Sequence, residues 1–331
     1  MNTMKNKNIV VMGGGTGTYT VLSGLKTYPV TISAIITMMD SGGSSGKLRD
    51  QYGVLPGGDV RQALVALSES DLLWRKLFLY RFSSGDFKGH NFGNLLLAVT
   101  ETIGGNFQKA LDMAQQLLHT KGKVIPVTFD KTNIRATLQN GNILTGESII
   151  DERVPNRSPI DMLSLEKPAK VNPHALEAIR NADCIVVGPG DVYTSLLPNF
   201  MFKELIQEYR NSSAKKVLVA NLMNKAGQTD DFGLTRYIKI FSKYLGAAPF
   251  THIIINIGNV SQEARNYYKE YGEFEVTDDL DNEVFHIRKV KADLLSDSVF
   301  TQVDGDNLER SIVRHDPEKL AKVLLKLLYD N

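Results

Sequence analysis

The chain has 331 residues, with 38 Lys+Arg against 37 Asp+Glu for a formal net charge of +1, and a single cysteine, Cys184. Near-neutrality removes any global field for nucleic acid or an anionic membrane surface, so an anion must be bound locally. One cysteine excludes an intramolecular disulfide and every Cys-based metal cluster, which fits a reducing compartment. The amino-terminal "MNTMKNKNIVVMGGGTG" holds too short an apolar run for a signal peptide. No apolar run approaches the roughly 18 residues of a membrane span. A soluble, cytoplasmic protein is expected.

Short apolar, β-branched runs alternate with helical patterns throughout. This predicts an α/β fold, a doubly wound and mainly parallel Rossmann-like sheet with helices on both faces. The first strand, residues 8–12, runs into Gly13-Gly14-Gly15-Thr16-Gly17 and then a helix over 18–27. Glycines let backbone N–H groups approach an anion closely, and the helix start adds its dipole. The dinucleotide fingerprint fails, since its sixth position is Thr18 counted from Gly13 and Thr20 counted from Gly15. Either a phosphate site or a plain tight turn remains.

The second strand, 30–38, ends at Asp40, where a dinucleotide fold places an acid against ribose hydroxyls. Residues 41–46, including Gly42 and Gly43, read as a second flexible cradle with Lys47 behind it, or as a solvated turn. A Walker loop would need glycine at Ser41 and Ser or Thr at Leu48. A helix over 59–70 opens with Asp59. That acid is either a helix cap with Gln62 as its capping-box partner or the second of two carboxylates, with Asp40, that share a divalent cation such as Mg²⁺. His90 and Asn94, four apart at the start of a helix over 93–103, suit substrate contact or ordinary hydrogen bonding.

A helix over 107–121 and a strand over 124–129 follow. Asn140-Gly141 then signals a type I′ hairpin, and residues 151–171 read as an extended connection or lid. We expect one large domain, 1–331, with residues 131–172 as a hairpin sub-element. Beyond a helix over 173–181, the strand 184–188 leads into Gly188-Pro189-Gly190 and a polar turn whose Tyr193 suits stacking on a base or sugar. A helix over 200–210 precedes the strand 216–222, which brings Asn221 and Asn224 to its end. Helices over 233–245, 261–271 and 317–329 and a strand over 252–257 complete the pattern. In open α/β sheets ligands bind outside the carboxyl ends of the strands, where these loops gather.

Taken together, "GGGTG", "DSGGSSGKLRD", "LPGGDVRQALVAL", "RFSSGDFKGHNFGNLLLA", "ADCIVVGPGDVYTSLLPN" and "RHDPEKLA" resemble the gluconeogenesis factor family, which is grouped with the 2-phospho-L-lactate transferases. The resemblance covers nearly the whole chain. It implies a cytoplasmic binder of a uridine-diphosphate amino sugar, needed for cell shape and morphogenesis during gluconeogenic growth. It also implies a link to cell-wall synthesis through a protein partner, and a homodimer.

By the same resemblance, Gly14, Gly15, Thr16 and Gly17 contact the diphosphate, with Gly42, Gly43 and Lys47 near phosphate. Asp40, Asp59, His90, Asn94, Gly188, Gly190, Tyr193 and Asn221 complete the ligand set, with Asp40 and Asp59 as metal candidates. Ser41 stands where the family has a second aspartate, and Lys47 where it has arginine, which loses the planar fork for phosphate. These departures, and motifs without a nucleophile–base pair, favour a regulator over an enzyme. The alternative is transfer of a phospho-acyl group from a nucleoside diphosphate with Mg²⁺.

Overall fold

The computed structural model describes residues 6–152, 158–281, 285–297 and 312–330. Strands β1 (Asn8–Gly13), β2 (Thr31–Ile36) and β3 (Lys123–Pro126) precede an excursion of β4 (Ile134–Leu138), β5 (Ile143–Thr145) and β6 (Ile160–Leu165). The chain then returns through β7 (Cys184–Val187), β8 (Lys215–Val219), β9 (His252–Asn256) and β10 (Arg288–Ala292). The main sheet has seven strands in the order β10-β9-β8-β7-β1-β2-β3, and every pairing in it is parallel. Strand order reverses between β1 and β7, so the crevice of this sheet opens at their carboxyl ends.

Helix α1 (Gly15–Leu25) links β1 to β2. The crossover from β2 to β3 contains α2 (Gly43–Tyr52), α3 (Gly58–Leu67), α4 (Leu72–Leu79), α5 (Phe92–Gly104) and α6 (Phe107–Leu118). The excursion carries the short α7 (Glu147–Asp151), and α8 (Pro173–Arg180) leads into β7. Then come α9 (Lys203–Asn211), α10 (Leu234–Leu245), α11 (Gln262–Glu270) and α12 (Pro317–Tyr329).

Alternation along the strands divides the core. Val10, Met12, Ile35, Ile185 and Val187 face one cluster with α9, α10 and the excursion, while Ile9, Val11, Ile36, Val186 and Val219 face another with α1, α3, α6 and α12. That period-two division is the reason all these runs are apolar throughout: both faces of a parallel sheet are covered.

Four local readings change. Residues 43–52 are helical, so the cradle after β2 is only Asp40–Gly42 before α2 begins. The glycines and serines there mislead because low helix propensity is overridden by packing: Ser44, Ser45, Gly46 and Leu48 are buried. The hairpin between β4 and β5 is antiparallel as expected, but its turn is not type I′. Only Gly141 has a positive φ, +85°, and its N–H bonds Leu138 O at 2.9 Å, a type I turn closed by a left-handed glycine. Part of the supposed lid is β6, paired antiparallel to β4, while residues 153–157 lie outside the described set. Finally, β10 has no expected counterpart. It is an edge strand, "RKVKA", whose Lys289 and Lys291 pair with Asp278 at 2.7 and 2.8 Å, the charged pattern that blunts a sheet edge and hides it from an apolar search.

Candidate functional site

The glycine turn after β1 and the Gly188-Pro189-Gly190 turn after β7 lie side by side. A Cβ on Gly17 would collide with the Pro189 carbonyl oxygen, so α1 packs directly against the β7 turn and Gly17 serves that approach. Gly15 holds φ +64° and Gly188 φ +75°, conformations that favour glycine. Thr16 is exposed at the mouth. Asn221, two residues past β8, accepts the Gly190 N–H at Oδ1 at 3.0 Å and donates from Nδ2 to Gly190 O at 2.9 Å. Both halves of that amide are therefore committed to shaping the loop. Buried Asn199 does the same for β1, donating to Gly13 O and to Ser195 and Leu196 carbonyls.

Asp59 is not a capping-box residue. The helix N-cap is Gly57, without a side-chain cap bond, and Gln62 Oε1 is buried with no partner. Instead Asp59 accepts the Gly15 N–H, and a Cβ on Gly14 would strike its Oδ2. One donor of the first glycine turn is thus taken by this carboxylate. Burial and the Asp40 charge push the Asp59 pKa up to about 7. Asp40 is likewise raised, chiefly by burial, against the opposing pull of its hydrogen bonds to Ser45 and Gly42. Gly42 N donates to Asp40 Oδ1 at 3.0 Å, and Gly43 lies open at φ +47°.

Behind Asp40 runs a polarised chain. Arg61, only 3% exposed, donates from Nε to Asn94 Oδ1 at 3.0 Å, and Asn94 Nδ2 donates to Ser45 Oγ at 3.2 Å. A guanidinium has no acceptor, so it fixes the amide's orientation, and the Ser45 hydroxyl is left to donate to Asp40. Arg61 and Asn94 therefore brace Asp40 from within and do not reach outward. Tyr193 is also an internal group: at 2% exposure it packs in the core beneath the β7 turn and offers no free ring face. His90 is half-buried at the start of α5, and Lys47 is exposed on α2.

The sequence motifs missed the opposite wall. On α7, Glu147 lies close enough to Asp40, Asp151 and Asp59 that burial followed by those charges raises its pKa to about 9. Ser41 bridges to this helix, its Oγ accepting from Ser148 N at 2.9 Å. Asp151 meets Lys225 Nζ at 3.0 Å and Gln228 Nε2 at 2.9 Å, while the same Lys225 ammonium reaches Asp191 at 3.1 Å. Burial works against the charge on Lys225, but Asp191 and Asp151 outweigh it and hold its pKa above the ordinary value. Asp191 is raised, mainly by burial. The acids of the cleft, Asp40, Asp59, Glu147 with Asp151, and Asp191, come from four separated segments, and no spacing rule connects them.

The cleft thus gathers carboxylates of hard oxygen character, suited to a cation shared with a phosphate. Among the described residues no three His, Cys, Asp or Glu side chains form a metal cage. No described helix is long and apolar enough to cross a membrane. A concavity of about 590 Å³ lies away from these loops, between α6 and α8 beside β3, and is lined by groups such as Gln115, Lys123 and Asn172.

Comparison with known proteins agrees with this architecture. The family model of the 2-phospho-L-lactate transferase CofD matches residues 9–295. A gluconeogenesis factor of Bacillus subtilis is 33% identical over 323 residues, 97% of this chain and 98% of the relative. One of Halalkalibacterium halodurans is 35% identical over 325 residues, covering 98% and 97%. A crystal structure of a Bacillus halodurans protein superposes with a TM-score of 0.87 at 34% identity, over 97% of this chain and 99% of that one.

Proposed function

This chain belongs to the 2-phospho-L-lactate transferase CofD family, and from that premise we propose that it binds a nucleoside-diphosphate-linked metabolite across the carboxyl ends of β1, β2 and β7. The ligand we favour is a uridine-diphosphate amino sugar, and the role a cytoplasmic regulator that links gluconeogenic growth to cell-wall synthesis and cell shape. The observation that carries the reading is the juxtaposition of two glycine turns and the Asp40–Asp59 pair at the point where strand order reverses. Ser41, bonded to Ser148 where the family resemblance places a second acid, supports binding over group transfer.

A divalent cation fits the residues present. Burial raises the cost of ionising both Asp40 and Asp59, and the Asp40 charge adds to it at Asp59, which a shared cation relieves, and two carboxylates with phosphate oxygens suit Mg²⁺. Bound there, it would neutralise diphosphate charge and, in a transferase, leaving-group charge. The second reading, a CofD-like transferase acting on a nucleoside-diphosphate donor, is favoured by the same pair together with the family match.

Thermal unfolding in UDP-N-acetylglucosamine, UDP-glucose, GDP, GTP and NAD, with and without Mg²⁺, tests the choice. A ligand at ~100 times its Kd adds about 2.7 kcal/mol. Stabilisation by the uridine compounds with or without metal supports the regulator. Metal-dependent stabilisation by guanosine compounds alone transfers the assignment to the enzyme, and stabilisation by NAD alone defeats both. Asp40→Ala should remove the ligand shift while leaving the unliganded fold at least as stable, because a repulsive partner of Asp59 is gone.

A further inference from the structure

Ser44 stands in the first turn of α2 with 3% of its surface exposed. Its Oγ lies 3.2 Å from Asn91 N and 3.3 Å from His90 Nδ1. A backbone N–H can only donate, so Oγ accepts from Asn91. Asn91 itself does not move freely. Its side chain caps α5 by accepting Asn94 N at 3.2 Å and donates to Leu79 O at 2.9 Å. The hydroxyl proton then needs an acceptor, and among the described residues the one beside it is His90 Nδ1. An Nδ1 that accepts leaves the proton of the neutral ring on Nε2. That nitrogen has no partner among the described residues, and the ring is half-buried, not sealed.

We propose that Ser44 is the positioning residue that fixes His90 in one neutral tautomer, with Nε2–H presented outward, so that the ligand atom against it is an acceptor, a phosphoryl oxygen of the diphosphate. The inference deepens the proposed function and rests on it for the identity of the ligand, but not for the tautomer. Two further features point the same way. Burial, then Lys47 on α2 and Arg81 in the turn before α5, lower the His90 pKa and oppose a second proton on the ring. Those same two cations make the surroundings of His90 attractive to an anion. Ser45 works in parallel one residue on: Asn94 donates to it and it donates to Asp40. Adjacent serines of α2 thus carry direction from α5 to a donor and an acceptor in one cleft.

Histidine-selective ¹⁵N labelling and two-bond ¹H–¹⁵N correlation spectra test this, with His90 assigned by its loss in His90→Gln. At pH 7.5 the native protein should show His90 protonated on Nε2, and Ser44→Ala should convert it to a mixture of tautomers, with Ser44→Thr restoring the single form. A native ring protonated on Nδ1 overturns the proposal, whether or not the variants fold. An unchanged pattern in a folded Ser44→Ala overturns it too. Addition of UDP-N-acetylglucosamine, with binding followed by calorimetry, should shift the Nε2 proton signal. Binding without that shift defeats the phosphoryl contact. No binding at all defeats the proposed function and the ligand half of this inference, while the spectra still decide the tautomer.

Discussion

Burial, followed by the charges of Asp40, Asp151 and Asp59, pushes Glu147 from its ordinary 4.5 to about 9. An acid whose pKa rises on folding binds more protons folded than unfolded, so its contribution is complete below pH 4.5 and is lost as pH climbs through about 9. Glu147→Gln, which imitates the protonated form at every pH, should match the native protein near pH 5 and exceed it at pH 9.5. The expected gain is about 1 kcal/mol after screening by nearby solvent, read as the difference between two urea midpoints. Asp40 and Asp59 were legible in the sequence because each sits at the end of a recognisable strand or at the start of a helix. Glu147, Asp151 and Lys225 were not. Their meaning arises only when a hairpin inserted after β3 folds over loops from β2, β7 and β8. Asn94 was read as a candidate for substrate contact, since nothing in the sequence says that its amide is held by a buried first-turn arginine, Arg61.

Elements hold these residues still. Gly17 lets α1 touch the Pro189 carbonyl, and Gly17→Ala should force the two turns apart. We expect a loss of about 1–3 kcal/mol, typical of overpacking, together with weaker binding of whichever nucleotide stabilises the native chain. Asn91→Ala removes the cap of α5 and leaves Leu79 O without its donor, so a loss of about 1 kcal/mol in chemical denaturation is expected. Most elements were readable from period and punctuation: β1, β2, β7, β8 and β9 as apolar runs, and α6 and α12 as amphipathic stripes. The failures share a cause. Helix α2 and strand β10 are specified by what they pack against or lie beside, and their own residues, Gly and Ser in one and Lys in the other, argue for something else.

At the scale of the molecule, the C-terminal helix belongs to the core. Leu320, Leu324, Leu327 and Leu328 of α12 join β1, β2 and α1 in one cluster, and Gly24 of α1 allows the approach because a Cβ there would strike the Pro317 carbonyl. Deleting residues 317–331 should therefore abolish cooperative unfolding, seen as loss of a sigmoidal far-UV transition, since the leucines and the α1 surface they cover would both be exposed to water. Doubly wound topology was anticipated from alternating strands and helices, and the reversal of strand order then locates the crevice.

The excursion of β4, β5 and β6 adds a separate consequence. It supplies Glu147 and Asp151 to the cleft and attaches to the main body through apolar side chains such as Ile134, Ala136, Ile150 and Leu163, with polar links from Ser148 to Ser41 and from Leu163 N to Tyr244. The glycine turns and part of the cleft charge are thus encoded in different stretches of chain. Grafting residues 134–165 from a relative, with those four apolar anchors kept, should therefore re-set which ligand charge the cleft tolerates while the glycine turns stay as they are.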